Sequence, residues 1–219
     1  MSNWYTKIAG SLFYFRTRAF RRQLAIVAAS FVAIAFLVAY HFASAQETQE
    51  AYQFSRDAQQ GKAIAPVSLN LMGKNPELVY IGSYLVNAKL DCASCHTCPQ
   101  YQGINPFAAG SPSLGTPPAP GPVNTANYLA GGVPFPGRGV TGTNLTPDSL
   151  GLPGGLTYED FKSAMQNGSV STKPGHVLQV HPWPEFRNLY ENDLVSIYQY
   201  LSAIPPAQPG TCTGQGQNK

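Results

Sequence analysis

A stretch of 57 residues, Pro99–Gly155, places the strongest constraint on how this chain can fold. It contains 11 prolines and 12 glycines, and this composition excludes a helix or strand of useful length. A structureless loop of that size inside a domain is uncommon, and such loops are usually functional. We therefore expect the stretch to be wrapped around something large, such as a prosthetic group.

The motif Cys92-Ala-Ser-Cys95-His96 lies just before that stretch and is the C-x-x-C-H pattern of covalent haem c attachment. Two thiols three residues apart reach the two haem vinyl groups and form thioethers, and the adjacent histidine is held under the iron as its first axial ligand. A zinc site would need two more ligands at ordinary spacing, and a redox pair would need a thioredoxin-like βαβ pattern. The sequence has neither, so it predicts one covalent haem c.

Three helices are predicted around the motif, which makes the expected fold class all-α. Pro76–Ala88 has apolar residues on one face, with Asn75 as its N-cap. Tyr158–Gln166 follows a capping threonine and has acids in its first turn. Glu191–Ala203 carries a buried stripe and is stopped by two prolines. No β pattern of any length is visible.

The N-terminal region contains one segment of membrane-spanning length. Leu24–Tyr40 is 17 residues without a charge, and continuing to Ala45 makes it long enough to cross a bilayer core. All five basic residues of this region precede the segment, and no acid occurs before Glu47. This asymmetry places the N-terminus in the cytoplasm and everything after residue 46 on the outer side.

The segment has two interpretations, a cleaved signal sequence or a retained transmembrane helix. Ala43-Ser44-Ala45 is an A-x-A cleavage site, and cleavage there would give a periplasmic protein. The aromatic and basic segment Trp4–Arg22 instead suits an interfacial helix before a membrane span. We favour the retained anchor, which gives a single-pass protein of the bacterial cytoplasmic membrane. It would contact lipid through residues 24–42 and carry its C-terminal domain in the periplasm.

The chain is therefore divided into four parts. Residues 1–45 form the interfacial segment with the anchor or signal, 46–75 an extended linker, 76–206 the haem domain and 207–219 a tail. From Gln46 onward there are 9 basic and 11 acidic residues, a net charge of −2. This excludes the extended basic surface that nucleic-acid binding requires.

The region from Leu78 to Pro206 resembles class I mono-haem cytochrome c domains. It is most similar to the cytochrome c domains of membrane-bound alcohol and sugar dehydrogenases. The stretches that carry the resemblance are Gly82–Thr97, Asn144–Asp148, Leu156–Phe161 with Asn167-Gly168, Pro182–Asn188, Asp193-Leu194 and Ile197–Pro206. The resemblance implies an all-α cytochrome c fold with long Pro/Gly-rich loops around one haem. It also implies that the first and last helices cross at Gly82, and that the domain transfers electrons.

The second axial ligand is where the sequence departs from the family. The family usually has methionine just before the Pro-Trp of the late motif, whereas this chain has His181 before Pro182-Trp183. We expect His96 and His181 to ligate the iron together. His176 and Met165 are the alternative ligands, and an open position is a third possibility. Two imidazoles would lower the potential relative to a methionine-ligated iron and leave no position for a substrate.

Four further residues are site candidates. Trp183 is expected in the haem pocket. Arg138 can pair with a haem propionate, or be a solvated loop residue. Cys98 and Cys212 are left over after haem attachment, and outside the cytoplasm an even remainder predicts a disulfide. Two free or intermolecular thiols are the alternative.

The function predicted from these features is single-electron transfer by a membrane-anchored mono-haem cytochrome c. The expected partners are a membrane-embedded redox complex and a redox protein outside the cytoplasmic membrane, with no nucleic acid. The chain is not expected to be an enzyme in its own right. The alternative is a haem enzyme of the peroxidase or thiosulfate-oxidising type, which would need an exchangeable iron position.

Overall fold

The computed structural model describes residues 5–102, 122–171 and 174–212. The chain divides into two compact units, Met1–Gln53 and Phe54–Lys219. Helix α1 spans Tyr5–Ile64, and its stretch Ala28–Glu47 is long and apolar enough to cross a membrane. Its described apolar side chains are largely exposed, Phe36 to 73%. The side chains of Trp4–Arg22, on which the expected interfacial helix depends, lie outside the described part of the chain.

The prediction of an extended linker is wrong for residues 46–64, which are helical. The physical reason lies in the contacts of small residues near the end of α1. Ala58 and Gly61 are buried, and the Ser83 hydroxyl donates to the Gly61 carbonyl oxygen at 2.8 Å. Asp57 forms an ion pair with Lys89 at 3.2 Å. Two small contact residues give almost no hydrophobic pattern, so this helix was invisible in the sequence.

The three predicted helices are present with nearly the predicted bounds. Helix α2 spans Pro76–Tyr84 and continues as a single π-helical turn, Leu85–Lys89. The Asn75 side chain accepts from the Glu77 amide at 3.0 Å, as expected of an N-cap. Helix α4 spans Tyr158–Asn167.

Helix α6 spans Glu191–Leu201 and completes the helical core. It packs directly against α2, because a Cβ atom at Gly82 would overlap the Ser196 carbonyl oxygen and lie 2.6 Å from the Tyr200 Cβ. Only glycine permits so close a crossing, which confirms the role expected of Gly82. The largest fully buried side chains come from both helices and a nearby loop: Tyr200, Leu129, Leu194, Ile197, Val79 and Val86.

The described elements outside these helices are short. Helix α3 is Cys92–His96 and α5 is Trp183–Phe186. Strands β1, Pro134–Phe135, and β2, Val140–Thr141, form a small antiparallel hairpin. The described part is thus mostly helical, in agreement with the all-α prediction, and the hairpin, with two residues in each strand, is a small departure from it.

Candidate haem site

The motif residues form helix α3, a single short helical turn. Because side chains three residues apart share one face of a helix, Cys92 and Cys95 lie on the same side. Both are free, half-buried thiols. Burial, followed by the neighbouring Asp91 and Cys95, raises the pKa of the Cys92 thiol to about 12. The unattached thiol is therefore uncharged at neutral pH.

The His96 imidazole is held by a backbone carbonyl. Its Nδ1 lies 2.8 Å from the Thr143 carbonyl oxygen, and a carbonyl can only accept a hydrogen bond. Nδ1 therefore carries the proton, and the Nε2 lone pair is left for a metal. Burial lowers the pKa of His96, which keeps the ring in the neutral form that metals bind.

The loop that supplies Thr143 is fastened to the motif at several points. The Gly131 amide donates to the His96 carbonyl oxygen at 2.7 Å, and the Leu129 amide donates to the Thr97 hydroxyl at 3.0 Å. A Cβ atom at Gly142 would overlap the Cys95 carbonyl oxygen. The loop therefore approaches α3 closely, backbone against backbone.

His181 lies two residues before the start of α5 and is half-buried. Its Nδ1 is the one buried side-chain nitrogen or oxygen without a hydrogen-bond partner in the described part of the chain. Burial, together with the nearby His96, lowers the pKa of His181 to about 4. The two imidazoles are thus close enough to interact, and both are neutral at pH 7. A buried polar atom without a partner calls for an explanation, and a metal or a hydrogen-bonding group at that nitrogen would supply one.

The alternative ligands lie in less suitable surroundings. His176 is exposed. Met165 is only 6% exposed and belongs to the apolar core.

The remaining predicted site residues, Trp183 and Arg138, differ in their contacts with the two histidines. The Trp183 amide donates to the His181 carbonyl oxygen at 2.8 Å. Its indole packs on Gly168, where a Cβ atom would lie 2.6 Å from the ring nitrogen. Arg138 is exposed in a 3₁₀ turn, Pro136–Arg138, and the structure does not bring it to either histidine through any described contact.

Cys98 and Cys212 are joined as a disulfide, with their Cα atoms 5.5 Å apart. That separation lies within the usual range for such bonds. Cys98 is fully buried and lies two residues after His96. The bond therefore brings the C-terminal tail next to the motif.

A hydrogen-bonded cluster beside the motif was missed in the sequence. The Tyr128 hydroxyl lies 2.5 Å from the Asn87 Oδ1 and 2.9 Å from the Tyr200 hydroxyl. Cys92 influences the pKa of both tyrosines, so the cluster lies close to this cysteine. Asn87 follows Ser83 by one helical turn, and its side-chain amide donates to the Ser83 hydroxyl. Two polar residues at that spacing are the sequence signal that could have indicated a common hydrogen-bond partner. Thr143, in contrast, acts through its backbone and leaves no side-chain signal.

The chain is similar in sequence to three curated dehydrogenase subunits. It is 29% identical over 136 residues to the gluconate 2-dehydrogenase cytochrome c subunit of Pantoea cypripedii, which covers 61% of this chain and 25% of that protein. It is 28% identical over 145 residues to a nicotinate dehydrogenase subunit of Pseudomonas putida, covering 66% and 10%. It is 27% identical over 124 residues to the cytochrome c subunit of the quinone alcohol dehydrogenase of Gluconobacter oxydans, covering 57% and 21%.

These relatives confirm the resemblance to cytochrome c subunits of dehydrogenases that the sequence motifs indicated. The chain spans a quarter or less of the length of each of them. No protein-family model matches the chain, and no solved structure matches it significantly.

Proposed function

We propose that this chain is a mono-haem c-type cytochrome that carries single electrons and serves as an electron-transfer subunit rather than a catalytic one. The observation that carries the proposal is the arrangement around α3. His96 Nδ1 is hydrogen-bonded to the Thr143 carbonyl oxygen. His181 Nδ1 is buried and has no hydrogen-bond partner in the described part of the chain. Two neutral imidazoles near two free thiols suit a haem that is held covalently and ligated on both faces.

The residues that would hold the haem follow from the motif. Cys92 and Cys95 would form the two thioethers, and His96 and His181 would be the axial ligands. The haem would supply an iron atom that accepts and releases one electron. The protein fixes the orientation of the His96 ring through Thr143, and such partners raise the basicity of a ligating histidine.

Bis-histidine ligation favours electron transfer over the alternative haem enzyme. An enzyme of the peroxidase type needs an exchangeable iron position, and two imidazoles would fill both axial positions. The names of two relatives describe cytochrome c subunits of dehydrogenases, which supports the same choice. By analogy, the partner of this chain would be a redox complex.

The site of action that we propose is the outer face of a bacterial cytoplasmic membrane. The apolar stretch of α1 would anchor the chain, with residues 24–42 in contact with lipid and the haem domain in the periplasm. The part after residue 45 has a net charge of only −2, which gives little long-range electrostatic steering. This favours a fixed subunit over a freely diffusing carrier.

Covalent haem attachment is the first test. Haem staining after denaturing electrophoresis should reveal haem that migrates with the full chain. The double variant C92A/C95A should lose it, while the matched control C98A/C212A should keep it. Haem that acid acetone extracts from the wild type would refute covalent attachment. Carbon monoxide binding to the reduced protein would refute the closed bis-histidine site and favour the enzyme.

The identity of the second ligand is tested by His181→Met, with His176→Met as the matched control. A thioether raises the potential relative to a second imidazole. His181→Met should therefore keep the haem and shift the midpoint potential upward, whereas His176→Met should leave it unchanged. The reverse pattern would identify His176 as the ligand.

A further inference from the structure

The C-terminal tail forms several hydrogen bonds with the loop that carries Thr143, the hydrogen-bond partner of His96. The Gly210 amide donates to the Ala130 carbonyl oxygen at 2.8 Å. The Asn144 side-chain amide donates to the Ala207 carbonyl oxygen at 2.8 Å. The Ala207 amide donates to the Thr146 hydroxyl at 3.0 Å. Residues 207–210 therefore bind the loop on both sides of Thr143.

The fit between tail and loop leaves no room for a side chain. A Cβ atom at Gly132, whose φ is +93°, would overlap the Gly210 carbonyl group, and one at Gly210 would lie 2.7 Å from the Gly131 carbonyl oxygen. The disulfide closes this arrangement, since it joins the tail to Cys98, two residues after His96. The motif, the loop and the tail are thus connected in a closed series of contacts. One of these contacts is the hydrogen bond from His96 Nδ1 to the Thr143 carbonyl oxygen.

We propose that residues 207–212 and the Cys98–Cys212 disulfide, together called the tail clamp, position the Thr143 carbonyl oxygen against the His96 ring and thereby set the haem potential. The inference rests on the proposed function. A strong hydrogen bond from Nδ1 makes the imidazole a better donor to the metal, which favours the oxidised iron. Loosening the tail clamp should lengthen that bond and shift the potential upward.

The test uses the full haem-loaded chain and the double variant C98A/C212A. Loss of an outer-shell partner changes metal affinity by 10- to 100-fold. We expect about a tenfold change in the ratio of oxidised to reduced protein, which for one electron corresponds to an upward shift of about 59 mV. The Nδ1 proton of His96 should also exchange faster with solvent in proton NMR spectra of the reduced protein.

A second variant covers the case in which the double variant does not fold. Asn144→Ala keeps the disulfide but removes the bond to the Ala207 carbonyl oxygen, and it should shift the potential in the same direction by a smaller amount. The control is Lys162→Met, which breaks an ion pair with Glu191 and has no described contact with the tail. Its potential should equal that of the wild type.

The outcomes separate this inference from the proposed function. If the variants carry covalent haem and keep both the wild-type potential and the wild-type exchange rate of the His96 proton, the tail clamp has no positioning role. The proposed function would still stand. Absence of covalent haem in the wild type would instead refute the proposed function itself.

Discussion

Replacing Gly82 with alanine tests the helix crossing on which the domain depends. The new Cβ would overlap the Ser196 carbonyl oxygen and lie 2.6 Å from the Tyr200 Cβ. Neither atom can rotate away, because one belongs to the backbone of α6 and the other is bonded directly to it. The clash can be relieved only by separating α2 from α6, which opens the most buried part of the core.

The expected cost is the difference between two opposing terms. Overpacking a core costs about 1–3 kcal/mol of unfolding free energy. Because the contact atoms are rigid, we expect Gly82→Ala to lie at the upper end of that range, at about 3 kcal/mol. The better helix propensity of alanine offsets about 1 kcal/mol. The free energy of unfolding should therefore fall by about 2 kcal/mol, which corresponds to roughly 4–8 °C in melting temperature for a domain of this size.

Urea unfolding followed by far-UV circular dichroism measures that change. Gly137→Ala is the matched control, because its Cβ would meet nothing within 4 Å and its φ is not positive. It should alter the free energy of unfolding by less than about 0.5 kcal/mol. If Gly82→Ala were neutral or more stable than the wild type, helix propensity alone would govern the position and the close crossing would be incorrect.

Three further expectations concern the polar cluster, an ion pair and the N-terminus. Tyr128→Phe removes two hydrogen bonds and should cost about 1–3 kcal/mol of unfolding free energy, and its effect should be less than additive with that of Tyr200→Phe, because the two hydroxyls are partners. Lys162, and then Tyr158, lower the pKa of Glu191. Its contribution to stability is therefore present above the ordinary pKa of about 4.3 and lost as the pH falls through the lowered value, so Glu191→Gln should flatten the acid side of the stability profile. Sequencing of the native protein should start at the beginning of the chain, and a mature start at Gln46 would show that the apolar segment is a cleaved signal.

Capping residues and apolar periodicity made the helices predictable. Asn75 before Pro76 and Thr157 before α4 are strong local signals that do not depend on the rest of the fold. The motif likewise fixes Cys92, Cys95 and His96 as a unit, since its chemistry is contained in five consecutive residues.

What could not be predicted depends on contacts between distant segments. The bond from His96 to Thr143 uses a backbone oxygen 47 residues away, and any residue type could supply it. The helical course of residues 46–64 is supported by Gly61, which packs against α2, and by Ala58, which is buried in the core, and such small residues leave little hydrophobic pattern. The unpartnered nitrogen of His181 is a property of the packed structure and has no sequence signal.

Ala58 and Gly61 lie after the possible cleavage site at Ala45. The stability of the haem domain can therefore be tested independently of whether the anchor is retained. The contacts of α1 within the second unit include the ion pair of Asp57 with Lys89 and the hydrogen bond from Ser83 to the Gly61 carbonyl oxygen, and cleavage after Ala45 would leave both intact. A chain that starts at Gln46 should therefore unfold with the same free energy as the domain in the full protein, within about 0.5 kcal/mol.

A chain that starts at Ala65 lacks those contacts and should be less stable. It loses the bond between Ser83 and the Gly61 carbonyl oxygen, worth about 1 kcal/mol. It also loses the packing of Gly61 on the backbone of α2, where a Cβ atom would lie 2.8 Å from the Tyr84 nitrogen. We expect a loss of at least about 1–2 kcal/mol by urea unfolding of the two chains side by side. Equal stability would mean that residues 56–64 are only a connection, and that the haem domain begins after them.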